Sequence, residues 1–227
     1  MKISAEHLRG LYALTDAGLQ PPEALCDRVR LAIDGGARLI QYRDKSRDAR
    51  LRREQARALI ELCRPRGVGV IINDDVDLAA ACGADGVHLG REDAAVSAAR
   101  RTLGESAIVG ASCYNSLAAA QAAAEQGADY LAFGSFFASR TKPDAVQAGV
   151  ELVREAKRRW HLPVAAIGGI TPDNGEALLC AGVDMLAVVQ GVFAATDVRA
   201  AAARYAALFD HRYNADPATA HSAGDTS

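Results

Sequence analysis

The stretch Gly127-Ala128-Asp129-Tyr130-Leu131-Ala132-Phe133-Gly134 joins a glycine, a charged residue and a short apolar run. A glycine before such a run is typical of a helix end, where the chain needs a left-handed residue before it enters a strand. The same Gly-x-(Arg/Asp) signature recurs in Gly36-Ala37-Arg38, Gly83-Ala84-Asp85 and Gly182-Val183-Asp184. The sequence therefore predicts one repeating architecture rather than two fused domains.

Outward from this stretch, short apolar runs alternate with longer segments of helical period. The candidate strands cover residues 11–14, 38–42, 68–72, 86–89, 107–111, 130–134, 164–167 and 185–189. The signature precedes every second one of them. Repeating units of about 26 residues over about 210 residues are within the range of an α/β fold of the (β/α)8 type, the TIM barrel. A doubly wound open sheet is the alternative, because periodicity cannot show that a sheet closes.

We predict a single catalytic domain over residues 1–213, followed by a tail over residues 214–227. The tail has few apolar side chains and is rich in Ala, Asp, Thr and Ser, which predicts disorder. The oligomeric state is left open, and a homo-oligomer is among the expected arrangements.

Composition excludes several classes of partner. The 26 Lys+Arg and 28 Asp+Glu residues do not create the positive field of a nucleic-acid binder. No apolar run approaches the roughly 20 residues of a membrane span, and the first residues contain no signal-peptide core, so we expect a cytoplasmic protein without membrane contact. The five cysteines are odd in number and contain no C-x-x-C pair, which argues against disulfides or a zinc site.

A basic segment follows the second predicted strand, in Gln41-Tyr42-Arg43-Asp44-Lys45. Period-two alternation places Gln41, Arg43 and Lys45 on one side. An amide and two cations that converge on one point are what a phosphate-bearing ligand requires. A solvated loop with surface charges is the alternative interpretation.

Acidic residues follow the third and fourth predicted strands, in Asn73-Asp74-Asp75 and in Gly90-Arg91-Glu92-Asp93. Carboxylates from neighbouring loops that face two cations indicate a Mg²⁺ bridging a diphosphate. Helix N-capping by Asp75 and Asp93 is the alternative. His88 lies between apolar residues within a strand, so we interpret it as an inward-facing, hydrogen-bonded structural histidine; a catalytic histidine is the alternative.

Three later loops add hydroxyls, cations and glycines. The loop after the sixth strand contains Ser139-Arg140-Thr141-Lys142, and Gly168-Gly169 follows the seventh strand. Thr171 is predicted to cap a helix that starts at Pro172. Together with Gln190-Gly191 after the eighth strand, these glycines match the usual phosphate-binding corner of such barrels.

In order and spacing, these segments resemble the thiamine phosphate synthase family. The resemblance extends from about Gly10 to Leu208 and rests on several motifs together. They are Leu11-Tyr12-Ala13-Leu14-Thr15-Asp16, Gln41-Tyr42-Arg43-Asp44-Lys45, Ile72-Asn73-Asp74, His88-Leu89-Gly90-Arg91-Glu92-Asp93, Ser139-Arg140-Thr141-Lys142 and Ile167-Gly168-Gly169-Ile170.

The resemblance implies two phosphorylated small-molecule substrates and a set of residues for each. Members of the family condense 4-amino-2-methyl-5-hydroxymethylpyrimidine diphosphate with 4-methyl-5-hydroxyethylthiazole phosphate and release pyrophosphate. Carried over by motif, the pyrimidine diphosphate would be bound by Gln41, Tyr42, Arg43, Asp44, Lys45, Asn73, Ser112 and Lys142, of which Arg43, Lys45, Ser112 and Lys142 would be catalytic. The thiazole phosphate would be bound by Ser139, Arg140, Thr141, Gly169, Val189 and Gln190. Asp74 and Asp93 would ligate Mg²⁺.

The family mechanism, in which the diphosphate leaves first, needs stabilisation of the leaving group more than a strong base. That agrees with the many cations and carboxylates at the predicted strand ends. Gln190 departs from the family pattern, which commonly has a small hydroxyl residue there. Two rivals remain: a thiazole tautomerase-like isomerase on a similar barrel, and a non-catalytic protein that binds thiamine precursors.

Overall fold

The computed structural model describes residues 7–93, 95–138 and 148–215. In these ranges the strands are β1 (Gly10–Leu14), β2 (Ala37–Tyr42), β3 (Gly69–Asn73), β4 (Gly86–Leu89), β5 (Ile108–Tyr114), β6 (Tyr130–Gly134), β7 (Val164–Ile167) and β8 (Met185–Val188). The helices are α1 (Leu25–Asp34), α2 (Ala49–Cys63), α3 (Val76–Cys82), α4 (Val96–Leu103), α5 (Leu117–Glu125), α6 (Val150–Trp160), α7 (Pro172–Cys180), α8 (Gln190–Phe193) and α9 (Val198–Ala215).

The strands form a closed parallel barrel in chain order. β1 pairs with β2 on one side, through Leu14 and Gln41, and with β8 on the other, through Gly10 and Met185. This closure confirms the predicted TIM barrel and excludes the open doubly wound sheet. Because all strands are parallel, their carboxyl ends meet at one rim.

Strand five is longer than predicted. It runs to Tyr114 instead of ending near residue 111, and its pairing with β6 is irregular between Ser112 and Tyr114. Tyr114 has a positive φ of 54°, which marks the irregularity. Such a bulge inserts an extra residue and redirects the side chains that follow. Ser112 therefore lies within the strand rather than in the loop after it.

The core has two layers that follow the alternation of the strands. The inner layer is built almost wholly from strand residues and includes Tyr12, Leu39, Ile71 and Tyr130, all at most 1% exposed. The outer layer, between strands and helices, contains the intervening strand residues and the apolar faces of the helices. Polar residues at inward-facing strand positions are therefore surrounded by buried side chains and shielded from water.

The Gly-x-Asp signature has a structural role at the amino ends of the even strands. Gly83, Gly127 and Gly182 adopt positive φ, as predicted. The aspartate two residues later bonds the preceding strand in both directions: its carboxylate accepts from a backbone N–H, and its own N–H donates to the carbonyl of the same residue. The pairs are Asp85 with Val70, Asp129 with Val109 and Asp184 with Val164, with Oδ2 to N distances of 2.9, 2.7 and 2.8 Å.

The last helix runs through Asn214 and Ala215, two residues into the predicted tail. Residues 216–227 lie outside the described residues. None of the helices in the described ranges is long and apolar enough to cross a bilayer.

We predict that Asp129→Ala lowers the free energy of unfolding by about 1.5–3 kcal/mol, because it removes a charged acceptor from a buried N–H. The change also removes the carboxylate partner of Arg100, whose side chain is only 14% exposed and otherwise donates to backbone carbonyls. Urea denaturation measures the effect. Glu105→Ala, at an exposed loop position, is the control and should change the stability by less than about 0.5 kcal/mol. Equal stability of the two variants would contradict a stabilising role of the Asp129 carboxylate.

Candidate active site

The registers of β3 and β4 bring their polar ends to the same level of the rim. Asn73 lies opposite His88, and the backbone N–H of Asp74 donates to the His88 carbonyl at 2.8 Å. Asp74 adopts a positive φ of 65°, a backbone conformation that residues other than glycine adopt rarely. The turn after β3 is therefore held against the neighbouring strand.

Asp74 and Asp93 form a hydrogen-bonded pair of carboxyl groups at this rim. The Asn73 amide donates to Asp74 Oδ2 at 2.5 Å, and the backbone N–H of Gly90 donates to Asp93 Oδ2 at 2.6 Å. Partial burial and the neighbouring Asp93 raise the pKa of Asp74 to about 6, while the Asn73 bond and the charge of Lys45 act in the opposite direction. The pair is held together in spite of its like charges.

This pair could hold a divalent cation. Among the described residues, no group of three or more His, Cys, Asp or Glu side chains is arranged to bind a metal by itself. Mg²⁺ commonly uses one or two carboxylates, several waters and the phosphates of a substrate. The two carboxylates fit an ion of that kind, one that also binds a phosphorylated ligand.

The capping interpretation holds for one of the two aspartates and is wrong for the other. Asp75 caps α3, since its Oδ1 accepts from Leu78 N at 2.8 Å. Asp93 does not cap α4: the residue before that helix is Ala95, which makes no side-chain cap. The Asp93 carboxylate bonds Gly90 and Asp74 instead, so capping does not account for its position.

The basic segment after β2 divides into rim and outer residues. Arg43 lies at the rim, 3.5 Å from Asp16 Oδ2 on the loop after β1, and its backbone N–H donates to the Thr15 hydroxyl. The Tyr42 side chain points to the helix layer, where its hydroxyl donates to Gln55 at 2.7 Å. The Asp44 carboxylate bonds Tyr42 and the backbone of its own loop. The structure thus separates Tyr42 and Asp44 from the rim cluster.

Gln41 lies below the rim and is 2% exposed. Its amide nitrogen donates to Tyr12 OH, and the hydroxyl groups of Tyr12 and Tyr130 lie 3.0 Å apart. His88 continues this chain, with Nδ1 at 2.8 Å from Tyr130 OH and Nε2 at 2.9 Å from Ser112 Oγ. As predicted, His88 faces inward and is hydrogen-bonded; burial lowers its pKa to about 4, although nearby Asp93 acts in the opposite direction.

A second group of predicted residues follows β7 and β8. Ile167 pairs with Ala187, so the Gly168-Gly169 turn and Val189 extend from adjacent strands. Gly168 has φ of 103°, and a Cβ there would lie 2.0 Å from Ser135 Oγ, so only glycine fits beside the loop after β6. Thr171 precedes α7, which begins at Pro172 as predicted.

Gln190 begins the short helix α8 and is exposed. Ser139, Arg140, Thr141 and Lys142 lie outside the described residues. The structure therefore brings the β7 and β8 residues to the same rim as the carboxyl pair, on another sector of the barrel.

Three residues of the site were not assigned a role from the sequence. Asp16 pairs with Arg43 across two loops. Tyr12 and Tyr130 connect Gln41 to His88 although they are far apart in the chain. The sequence feature that could have indicated the two tyrosines is their position on the inward side of a strand, because a buried phenol needs a hydrogen-bond partner.

Comparison with known proteins gives consistent matches along the chain. A family model described as thiamine monophosphate synthase matches residues 11–192. A thiamine-phosphate synthase of Acidithiobacillus ferrooxidans is 52% identical over 211 residues, covering 91% of this chain and 97% of the relative. One from Nitrosococcus oceani is 50% identical over 198 residues, covering 87% and 91%. A solved structure of thiamine phosphate pyrophosphorylase from Pyrococcus furiosus has a TM-score of 0.82 at 38% identity, covering 90% of this chain and 97% of that one.

We predict that Asp93→Asn lowers the pKa of the Asp74 carboxyl from about 6 towards its ordinary value of 3.8, because the substitution removes a like charge. A ¹³C NMR titration of the aspartate carboxyl groups measures it. Since the raised pKa means that the folded protein binds this proton more tightly than the unfolded chain, the contribution of Asp74 to stability falls as the pH rises from about 4 to about 6 in the parent protein, and falls less in the variant.

Asp77→Asn, at an exposed position of α3, is the matched control and should leave the pKa of Asp74 unchanged. An Asp74 that still titrates near 6 in Asp93→Asn would show that burial alone raises its pKa.

Proposed function

The chain belongs to the thiamine monophosphate synthase family and is a transferase of thiamine biosynthesis, and on this premise we propose that it joins a pyrimidine diphosphate to a thiazole phosphate. The substrates are 4-amino-2-methyl-5-hydroxymethylpyrimidine diphosphate and 4-methyl-5-hydroxyethylthiazole phosphate. The products are thiamine phosphate and pyrophosphate. The observation that carries the proposal is the Asp74–Asp93 pair near the positive charge of Lys45, at the rim that also holds Arg43.

The proposed reaction breaks one bond and then forms another. The carbon–oxygen bond between the pyrimidine methylene and the diphosphate breaks, and pyrophosphate leaves with the electron pair. The thiazole nitrogen then attacks the pyrimidinyl methyl cation and forms a carbon–nitrogen bond. This sequence needs donors and cations at the leaving group and no strong base near the carbon.

The residues at the rim have the charge distribution that this reaction requires. Arg43 and Lys45 would bind the diphosphate oxygens, with Asn73, Ser112 and Lys142 as further contacts. Asp74 and Asp93 would hold Mg²⁺, which supplies positive charge to the departing pyrophosphate when it is bound. Asp16, now paired with Arg43, would release the guanidinium to the diphosphate. His88 is buried and has both ring nitrogens engaged, so it would not serve as a base at the rim.

The thiazole phosphate would bind at the other sector. Gly169, Val189 and Gln190 extend from the ends of two paired strands, and their backbone N–H groups are the natural donors for an anion. Ser139, Arg140 and Thr141 complete the set that the family resemblance implies. The Gln190 side chain offers an amide donor where the family commonly has a hydroxyl.

An assay with both phosphorylated precursors and Mg²⁺ tests the function. We expect thiamine phosphate, detected after oxidation to its fluorescent product, and we expect Asp74→Ala to reduce turnover at least about 100-fold, since it removes a metal carboxylate. Asp77→Ala is the control and should retain activity. Isomerisation of a thiazole without condensation would favour the tautomerase, and tight binding without turnover would favour the binding protein. Full activity of Asp74→Ala without added metal would exclude the proposed metal role.

We further predict that Arg43→Ala slows departure of the diphosphate at least about tenfold in single-turnover experiments and changes the thiazole phosphate KM less than about threefold. The reason is that a cation beside the leaving group acts mainly in the transition state. An unchanged chemical step with a raised thiazole phosphate KM would place Arg43 at the other substrate.

A further inference from the structure

We propose that the buried chain Gln41–Tyr12–Tyr130–His88 fixes the direction of the hydrogen bond at Ser112, so that the Ser112 hydroxyl donates its hydrogen to the substrate. Tyr12, Tyr130 and His88 are then positioning residues that act through Ser112. The inference rests on the proposed function, because it takes Ser112 as a contact of the pyrimidine diphosphate.

This series of hydrogen-bonded side chains, with Ser112 at its end, links five strands across the inside of the barrel. Its four bonds run from Gln41 Nε2 to Tyr12 OH at 2.7 Å, to Tyr130 OH at 3.0 Å, to His88 Nδ1 at 2.8 Å, and from His88 Nε2 to Ser112 Oγ at 2.9 Å. Gln41, Tyr12, Tyr130 and His88 are at most 8% exposed. The three bonds between these four residues are buried, so water does not compete for them, whereas the bond to Ser112 is part-buried.

The amide nitrogen at one end sets the direction of every later bond. An amide N–H only donates, so the Tyr12 oxygen accepts from Gln41, and of these two partners only the Tyr130 hydroxyl can accept the Tyr12 hydrogen. Tyr130 in turn donates to His88 Nδ1, which must be the nitrogen without a hydrogen. The neutral imidazole then has its hydrogen on Nε2 and donates it to Ser112. The Ser112 oxygen accepts this bond, and its own hydrogen is left for a ligand.

The phenols keep their hydrogens under all ordinary conditions. Burial raises the pKa values of Tyr12 and Tyr130 well above the ordinary tyrosine value, even though the bonds to Tyr130 and Gln41 act against the rise at Tyr12. Both hydroxyls therefore remain able to accept and donate at once. A doubly protonated His88 would donate towards Tyr130 and would oppose the donor at the Gln41 end.

The packing of the barrel is fitted to the Tyr130 hydroxyl. Gly110 of β5 faces it, and a Cβ at this position would lie 2.0 Å from the ring carbon Cζ and 2.4 Å from the hydroxyl oxygen. The Tyr12 ring meets Tyr130 edge-on at 6.1 Å, and His88 stacks on it at 5.5 Å. These contacts on several sides keep the phenol in the place from which it reaches His88.

The direction of the last bond matters for an anionic leaving group. A serine hydroxyl has one hydrogen, and if His88 Nε2 accepted it, Ser112 would present only lone pairs to the diphosphate. With the hydrogen directed outward, Ser112 is a preorganised donor for developing negative charge. The interior tyrosines thus influence a rim contact that they do not touch.

The first experiment is made on the parent protein and does not depend on activity; one variant serves only to assign the signals. In protein labelled with ¹⁵N-histidine, long-range ¹H–¹⁵N correlation spectra report which ring nitrogen carries hydrogen, and the His88 signals are assigned by their loss in His88→Gln. We expect the hydrogen on Nε2 and a bare Nδ1. Hydrogen on Nδ1, or on both nitrogens, overturns the proposal. This result does not depend on synthase activity, so failure of the proposed function would be seen separately in the turnover assay.

The second experiment uses Tyr130→Phe, which removes the donor to Nδ1. We expect a mixture of His88 tautomers and a fall in kcat of about 3–10-fold, the loss typical of one hydrogen bond, with little change in the pyrimidine diphosphate KM. Adding Tyr130→Phe to a Ser112→Ala variant should lower kcat by less than about twofold relative to Ser112→Ala alone, because the effect of Tyr130 passes through Ser112.

Tyr205→Phe is the matched control, because it removes a buried phenol that donates to Ile170 O, away from the chain. It should leave the His88 tautomer as in the parent protein. An equal loss of kcat by Tyr130→Phe with and without Ser112, or a tautomer mixture in Tyr205→Phe, would show that Tyr130 acts only through the stability of the fold.

Discussion

Closure of the parallel sheet between β1 and β8 is the constraint on which the other features depend. It directs the carboxyl ends of the strands to one rim, where residues far apart in the chain become neighbours. It also encloses an interior that water does not reach. The rim can therefore carry charged groups that meet a ligand, while the interior must satisfy its polar groups internally.

In the interior, neutral side chains satisfy one another in one hydrogen-bonded series. The hydrogen bonds that join Gln41, Tyr12, Tyr130 and His88 involve no charged group. Burial keeps His88 neutral, with a pKa near 4, so that both ring nitrogens have fixed roles. The chain reaches the rim at Ser112, which lies at the junction between the dry interior and the charged site.

Aspartates have opposite effects at the two ends of the barrel. At the amino ends, Asp129 and Asp184 accept buried N–H groups and pair with Arg100 and Lys157, which stabilises the fold. At the rim, the Asp74 carboxyl lies beside Asp93 and has a raised pKa, which is unfavourable for the fold alone. Local cost of this kind, in which two like charges are held side by side, is typical of functional sites.

Local pattern by itself determined the number and order of the strands, the left-handed glycines before Asp85, Asp129 and Asp184, and the clustering of polar residues at strand ends. These features depend on residues close in the chain, so periodicity and turn chemistry are enough to find them. Only the tertiary structure decided that the sheet closes, that Tyr42 faces the helices, that Asp93 pairs with Asp74 instead of capping α4, and that Arg43 meets Asp16. It also decided that the hydroxyls of Tyr12 and Tyr130, 118 residues apart, meet inside the barrel. Those contacts join distant segments, and their geometry follows from strand register, from the bulge in β5 and from the space that Gly110 leaves, none of which a local pattern contains.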